Sequence, residues 1–337
     1  LTYENRVLGK EARWYRGDLQ VHSKYGRGRE GVADLVARAE RLGLDFLAIT
    51  DRNTMGAMDD PGVRSESVVL VPGMEWGMDD RGVALVYCPG TFPAPPGPRD
   101  FAVSTRRLVQ AQGGIYCIAH PCFSRAPWQW NIGYANHIQV WCGDWRGTRA
   151  MPFGQLDEDL KERTGGGLGD ENPLRWPIAK AVKLVEQSEA ASRSEGLQTR
   201  YGVSARDREH LVMSANMQAE KFWDYQLDNG IVTGVIGGSD SDGPGKALAV
   251  PVTYVYAKEK SLAGILEGLR MGRTFVSRGL DGPQLSFRAR FLNPDLTVRF
   301  DGASVGMGGV IPLDTTVRFE ALVTRADGLK LEVIRDG

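Results

Sequence analysis

The sequence predicts an α/β protein, a distorted, TIM-like β/α barrel followed by a small β domain. Three observations lead to that class. Short apolar runs of strand length alternate with segments of helical period, the pattern of a parallel β/α arrangement. The chain has 337 residues, enough for a barrel and an appended domain. Beyond about residue 283 the helical pattern stops and polar and apolar residues alternate.

Taken in order, the candidate barrel strands run over 16–21, 46–50, 68–71, 83–88, 115–119, 137–141 and 231–237. Between the first two, Val32, Leu35, Val36, Ala39 and Leu42 recur at helical spacing, and Leu262, Ile265, Leu266 and Leu269 do so later. Residues 89–98 hold five prolines, which fix φ and lack a backbone donor, so an extended surface loop is expected there. Residues from about 143 to 200 are charged and carry Thr164-Gly165-Gly166-Gly167, reading as an excursion that covers the barrel mouth. Past 283, the segments 296–300 and 316–323 alternate as strands, and Asp336-Gly337 is a hairpin-turn pair that implies a further strand. The expected domains are a barrel over 1–282 and a β domain over 283–337.

Composition narrows the function classes. Forty-one basic and 42 acidic residues nearly cancel, which argues against a polyanion-binding surface and so against nucleic acid as partner. No run of about 18 apolar residues exists, which excludes a helical membrane span. Cys88, Cys117, Cys122 and Cys142 show no Cys-x-x-Cys spacing; free buried thiols are expected, and with them a cytoplasmic location, although the start at Leu1 leaves room for a removed leader.

The chemistry lies where the candidate strands end, which is where barrels build active sites. Gly17-Asp18-Leu19-Gln20-Val21-His22-Ser23 would be a two-imidazole metal grip if residue 20 were histidine, because side chains two apart on a strand point the same way. Next come Leu47-Ala48-Ile49-Thr50-Asp51-Arg52-Asn53, Pro72-Gly73-Met74-Glu75, Ile118-Ala119-His120-Pro121 and Ile236-Gly237-Gly238-Ser239-Asp240-Ser241-Asp242-Gly243. Leu269-Arg270-Met271-Gly272-Arg273-Thr274-Phe275-Val276-Ser277 follows. In this order, over roughly residues 12–280, the elements resemble the PHP (polymerase and histidinol phosphatase) superfamily, in its carbaryl-hydrolase-like branch.

The resemblance implies a PHP-type barrel and a three-metal centre whose bridging hydroxide attacks an ester, phosphoester or carbamate. His22, Asp51, Glu75, His120 and Asp240 match the family pattern. Gln20, Arg52 and Asp242 stand where it has histidines, Arg27 where it has an acid or histidine, and Val83 or a neighbour where a further histidine is usual. Arg27, Arg52 and Asp242 all fall on one metal of the family, and a guanidinium that never deprotonates cannot ligate a cation, so that ion is expected to be missing. His22, Glu75 and Asp240 remain for another ion, with Gln20 a poor fourth ligand and His120 either a ligand of a second weak site or a free base. Fewer than three metals are therefore expected, and the choice is between one divalent ion (Mn or Mg ahead of Zn) and none.

Site roles follow from the same reading. His120, Asp51 and Glu75 are the candidate catalytic groups; Arg27, Arg52, Gln20 and Asp242 are candidates for holding substrate, the arginines paired with Asp51 and Asp242 or gripping an anion. Aromatic residues crowd the stretch after His120, and at least one of Trp128 and Trp130 is expected to stack on a sugar or aryl ring. Gln139 sits where relatives tend to carry an acid, and His210 reads as a solvated surface residue. Two functions stay open. One is a hydrolase-like enzyme acting on a small ester, phosphoester or sugar-derived substrate with an anionic group; the other is an inactive pseudoenzyme that binds anions or carbohydrate. Either takes a small-molecule ligand and neither involves a membrane; the oligomeric state is open.

Overall fold

A computed structural model describes residues 12–88, 90–97, 102–123, 126–130, 134–143, 215–299 and 304–333. Seven strands are neighbours in chain order: β1 (Arg13–Val21), β2 (Phe46–Ile49), β3 (Val69–Met78), β4 (Gly82–Tyr87), β5 (Ile115–Ile118), β6 (His137–Cys142) and β7 (Gly234–Gly238). β7 then returns to β1. Val21 and Ser241 form a parallel bridge, His22 N donates to Ser241 O at 2.8 Å, and Asp240 N donates to Gln20 O at 2.9 Å. These contacts nearly close the sheet into a barrel and set Asp240 beside His22.

The parallel arrangement that the sequence suggests holds for β1–β2, β2–β3, β5–β6 and β6–β7 but not throughout. β4 runs antiparallel to both its neighbours, because only a short turn separates it from β3 and a reversal is the sole path so short a link allows. Two further strands, β8 (Val252–Ala257) and β9 (Thr274–Ser277), extend the sheet antiparallel from β1 and were not among the expected strands.

Four helices lie among the described residues: α1 (Val32–Arg41), α2 (Ala102–Ala111), α3 (Ala215–Asp228) and α4 (Leu262–Arg270). α1 buries Val32, Leu35, Val36 and Ala39, the face its periodicity marks, and is followed by Gly43 at φ 64°, a conformation that glycine adopts without steric cost. α4 begins at Ser261, whose hydroxyl accepts from Gly264 N at 3.0 Å. Its Ile265, Leu266 and Leu269 pack into the same buried cluster as Leu19, Phe46, Leu85, Cys117 and Ile236 from the barrel strands. His137, the first residue of β6, donates from Nε2 to Leu269 O at 2.6 Å, so α4 plugs the barrel at the end opposite the site.

One irregularity sets the direction of the functional side chains. Tyr15 and Leu19 of β1 point into the barrel core, and strict alternation would send Gln20 and His22 outward. The pairing of β1 with β2 shifts register between Asp18 and Val21, where β1 carries one residue more than its partner. This bulge returns Gln20 and His22 to the inner side while Val21 faces the outer cluster.

The C-terminal sheet has the order β11 (Ser304–Gly306), β10 (Gln284–Phe291), β12 (Val317–Thr324). β12 matches the expected strand at 316–323. Of the expected strand at 296–300, the described residues 296–299 form no regular strand: Leu296 lies in a turn at φ 66°, and Val298 makes an isolated bridge with Leu292. Residues 90–97 form the expected irregular loop. The excursion expected over 143–200, His210 and the terminal Asp336-Gly337 lie outside the described residues, apart from Gly143. All four cysteines are free. Among the described residues no helix is long and apolar enough to cross a membrane.

Candidate functional site

The strand ends converge on His22, Glu75 and Asp240, whose ligand atoms all lie within 4.8 Å of one another. His22 Nε2 is 3.1 Å from Glu75 Oε2 and 3.0 Å from Asp240 Oδ1. Glu75 sits inside β3 rather than at its end, but β3 outruns β2, so Glu75 stands level with Arg52, to which it is bridged. His120 and Asp240 follow their strands at φ 26° and φ 52°, left-handed conformations that non-glycine residues adopt at some cost and that turn both into the barrel mouth. The turn after β1 folds Gly26 and Gly28 back onto the carbonyl of Ser23, each at 3.0 Å. A Cβ on Gly28 would meet His22 O at 2.1 Å, so only glycine lets the turn pack this closely. That turn carries Arg27 back over the cluster.

Arg27 contacts both Asp240 Oδ1 and His22 Nε2, the latter at 3.0 Å. Arg52 donates to Glu75 Oε1 from Nε at 2.7 Å, its Nη2 lies 2.5 Å from the same oxygen, and it reaches Asp79 Oδ1 at 3.0 Å. Lys246 Nζ lies 3.3 Å from Asp240 Oδ2. The pairing with Asp51 and Asp242 that the sequence suggests is not what the structure has: Arg27 pairs with Asp240, and Arg52 with Glu75 and Asp79. The geometric reason is that Asp51 is taken by Ser23, through N at 2.7 Å and Oγ at 2.5 Å, while Asp242 does not line the cleft that holds the arginines.

A chain of amides lies behind the cluster. His120 N donates to Gln139 Oε1 at 3.0 Å, Gln139 Nε2 donates to Gln20 Oε1 at 2.5 Å, and Gln20 Nε2 donates to Glu75 Oε2 at 3.0 Å. Because a backbone N–H can only donate, the first bond fixes the orientation of both amides. Gln20 therefore turns its NH2 toward Glu75, which makes it a support for that carboxylate and not the fourth ligand its position suggests.

Charge states follow from burial and neighbours. Burial alone would lower the His22 pKa, but hydrogen bonds to Asp240 and Glu75 outweigh it and raise it to about 9. Burial works against ionised Glu75 too, yet His22 and Arg52 hold it well below the usual carboxylate range, and His22 and Arg27 likewise hold Asp240 at about 2. His120 goes the other way: burial lowers its pKa and keeps the ring neutral, and its Nδ1 has no hydrogen-bond partner. Burial raises the pKa of Asp51.

Arg27, Arg52, Glu75, His120, Asp240 and Lys246 all line one cleft of about 550 Å³, with Cys142 and Asn216 on its wall. Lys246 is the residue that sequence reasoning missed; it follows Gly243-Pro244-Gly245, a turn whose direction no spacing reveals. Trp128 and Trp130 do not line the cleft. Both are buried in a core cluster with Met74 and Trp76, Trp130 Nε1 donates to Gly82 O at 2.9 Å, and its ring lies 5.1 Å from that of Trp76. Asp242 and Gln20 are likewise absent from the lining.

Set against known proteins, the chain matches no family profile and no curated protein. Among solved structures it is similar to a two-domain protein from Bacteroides vulgatus containing a predicted PHP-like metal-dependent phosphoesterase, at 15% identity over 92% of this chain and 86% of that one, with a TM-score of 0.44. A second, a candidate metal-dependent phosphoesterase from Bifidobacterium adolescentis, shares 15% identity over 46% of this chain and 89% of that one, with a TM-score of 0.30. The PHP resemblance rests on the sequence elements and on the barrel that gathers them.

The donor set fits one divalent ion: an imidazole and two carboxylates with their ligand atoms converging, the mixed set a catalytic site uses while leaving a position open. Among the described residues no second such group of ligand side chains is found.

Proposed function

We propose that this chain is a PHP-type, hydrolase-like protein with a reduced metal centre, acting on a small ester, phosphoester or sugar-derived substrate that carries an anionic group. The observation that supports this reading most is the make-up of the cleft, where three cationic side chains and one neutral, unpartnered histidine share a wall with Glu75 and Asp240. Arg52 is anchored by Glu75, and its second partner, Asp79, is 87% exposed. A surface ion pair of that kind is weak, so an incoming anion replaces Asp79 at little cost while Glu75 keeps the guanidinium aimed. His120, neutral and held by Gln139 through its backbone, accepts a proton from water at the bound ester and returns it to the leaving oxygen. Glu75 and Asp51 act by position: Glu75 orients His22 and Arg52, and Asp51 fixes the turn after β1 through Ser23. A divalent ion held by His22, Glu75 and Asp240 would supply Lewis acidity beside the same cleft.

Turnover on phosphoesters, aryl esters and glycosides, with and without chelator, tests the reading in wild type, His120→Ala and Arg52→Ala. Activity that both substitutions diminish supports it. Variants that match an active wild type overturn the assignment. If nothing in the panel reacts but sulfate or a sugar phosphate binds and Arg52→Ala abolishes that binding, the chain is the anion-binding pseudoenzyme instead.

A further inference from the structure

The two arginines of the cleft are held differently. Arg52 makes two contacts with Glu75, and its side chain is 26% exposed. Arg27 is 45% exposed, sits on a glycine-bounded turn, and reaches the cluster only through Asp240 Oδ1 and His22 Nε2. Those two atoms converge with Glu75 Oε2, at 3.0 Å between His22 Nε2 and Asp240 Oδ1 and 3.1 Å between His22 Nε2 and Glu75 Oε2, on the three side chains that could hold an ion.

The three contacts of His22 Nε2 conflict. A hydrogen on this nitrogen suits Glu75 and Asp240 but opposes the N–H of Arg27; a lone pair suits Arg27 but faces two carboxylates. One cation at the centre, guanidinium or metal, reconciles part of the set. The two together do not fit, since a guanidinium beside a divalent ion is repelled and its N–H groups point at atoms the ion needs.

We propose that Arg27 is a built-in competitor of the metal: it occupies the Asp240 and His22 ligand atoms when no ion is bound, and swings into the cleft, toward an anionic ligand, when an ion takes them. The inference rests on reading His22, Glu75 and Asp240 as an ion site. Its readout is metal affinity, so it fails separately from the hydrolase reading, whose test is turnover.

Linkage makes the consequence reciprocal. An anion that engages Arg27 outside the cluster favours the ion, and the ion favours the anion by the same factor. Calorimetric titration of Mn2+ into the full chain, depleted of metal by chelator and dialysis, tests both arms. Arg27→Ala and Arg27→Gln are expected to bind one Mn2+ at least about tenfold more tightly than wild type, because a like charge within a few ångströms of the ion is gone. Sulfate is expected to tighten Mn2+ binding by wild type and to leave both variants unchanged. The effect of sulfate on wild type is read without either variant and so stands even if a variant misfolds. Equal or weaker Mn2+ affinity in the folded variants, no effect of sulfate on wild type, or no Mn2+ binding by any form would overturn the proposal.

Discussion

Gln139 determines what Gln20 can do. Its carbonyl oxygen is committed to His120 N, its amide nitrogen to Gln20, and Gln20 is thereby turned to donate to Glu75. Substituting Gln139→Leu strands the buried His120 N–H and leaves the Gln20 oxygen with only the weak donor Cys142 Sγ at 3.7 Å, and the stranded N–H alone should cost about 1–3 kcal/mol. Urea unfolding of the variant against wild type measures the loss, and an unchanged midpoint would show that the chain of amides carries no such load. Arg52→Ala removes the best-anchored positive charge of the cleft, and a preorganised charge of this kind is worth about a hundred- to a thousandfold in rate. Steady-state kinetics on whichever panel substrate turns over checks that loss. At this scale the sequence disclosed which residues gather at the site but not how they pair. His22 and Asp240 were legible because each follows a strand, and Glu75 because it closes the recognisable run Pro72-Gly73-Met74-Glu75. The direction of the Gln20 amide was not, because it is set by a residue on another strand. Trp128 and Trp130 show the converse: aromatic density is the same signal whether the rings fill a core or face a ligand, and only burial separates the two.

Among the elements, the bulge in β1 and the plug formed by α4 were both hidden from periodicity. The bulge inserts a residue without altering composition, so the alternation of β1 reads as regular until its pairing with β2 is known. The run 252–257, Val-Thr-Tyr-Val-Tyr-Ala, has ample strand propensity. A repeating β/α scheme offers no slot for an antiparallel strand, so β8 was passed over. The α4 plug carries a pH prediction through His137, which is fully buried and lowered by desolvation from 6.5 to about 4. Between those values the unfolded chain binds a proton that the folded chain does not, so stability rises with pH across the window and is lost as pH falls from 6.5 toward 4. The loss amounts to about 3 kcal/mol at most, at roughly 1.4 kcal/mol for each pKa unit. Denaturation midpoints over this range, compared with His137→Gln, should show a shallower acid slope in the variant; parallel slopes would place the acid sensitivity elsewhere. Leu266, from α4, is buried in the barrel's interior cluster, and Leu266→Ala should cost about 2–5 kcal/mol by thermal or urea unfolding.

For the molecule as a whole, the alternation of apolar runs and helical periods sufficed to foretell a barrel with a β domain after it. The reversed β4 and the branch through β8 and β9 were beyond its reach, since strand direction depends on connections and not on the residues within a strand. The near closure of β7 on β1 brings the first and last site elements together, so charges far apart in sequence balance one another in one cleft. Arg27, Arg52 and Lys246 already answer Glu75, Asp240 and Asp79 there. The protein is accordingly expected to hold at most one metal per chain. Elemental analysis after growth in excess Mn and Zn checks this, and two or more equivalents per chain would refute it.

The chain of amides also bears on how the site could change. Gln20→His would put an imidazole against the NH2 of Gln139 while Arg27 still sat among the ligand atoms, so that single substitution would disturb the present arrangement without producing a new one. A set of ligands with histidine at position 20 would therefore need positions 20, 27 and 139 replaced together, because each of the three side chains is held by another polar group of the same cluster.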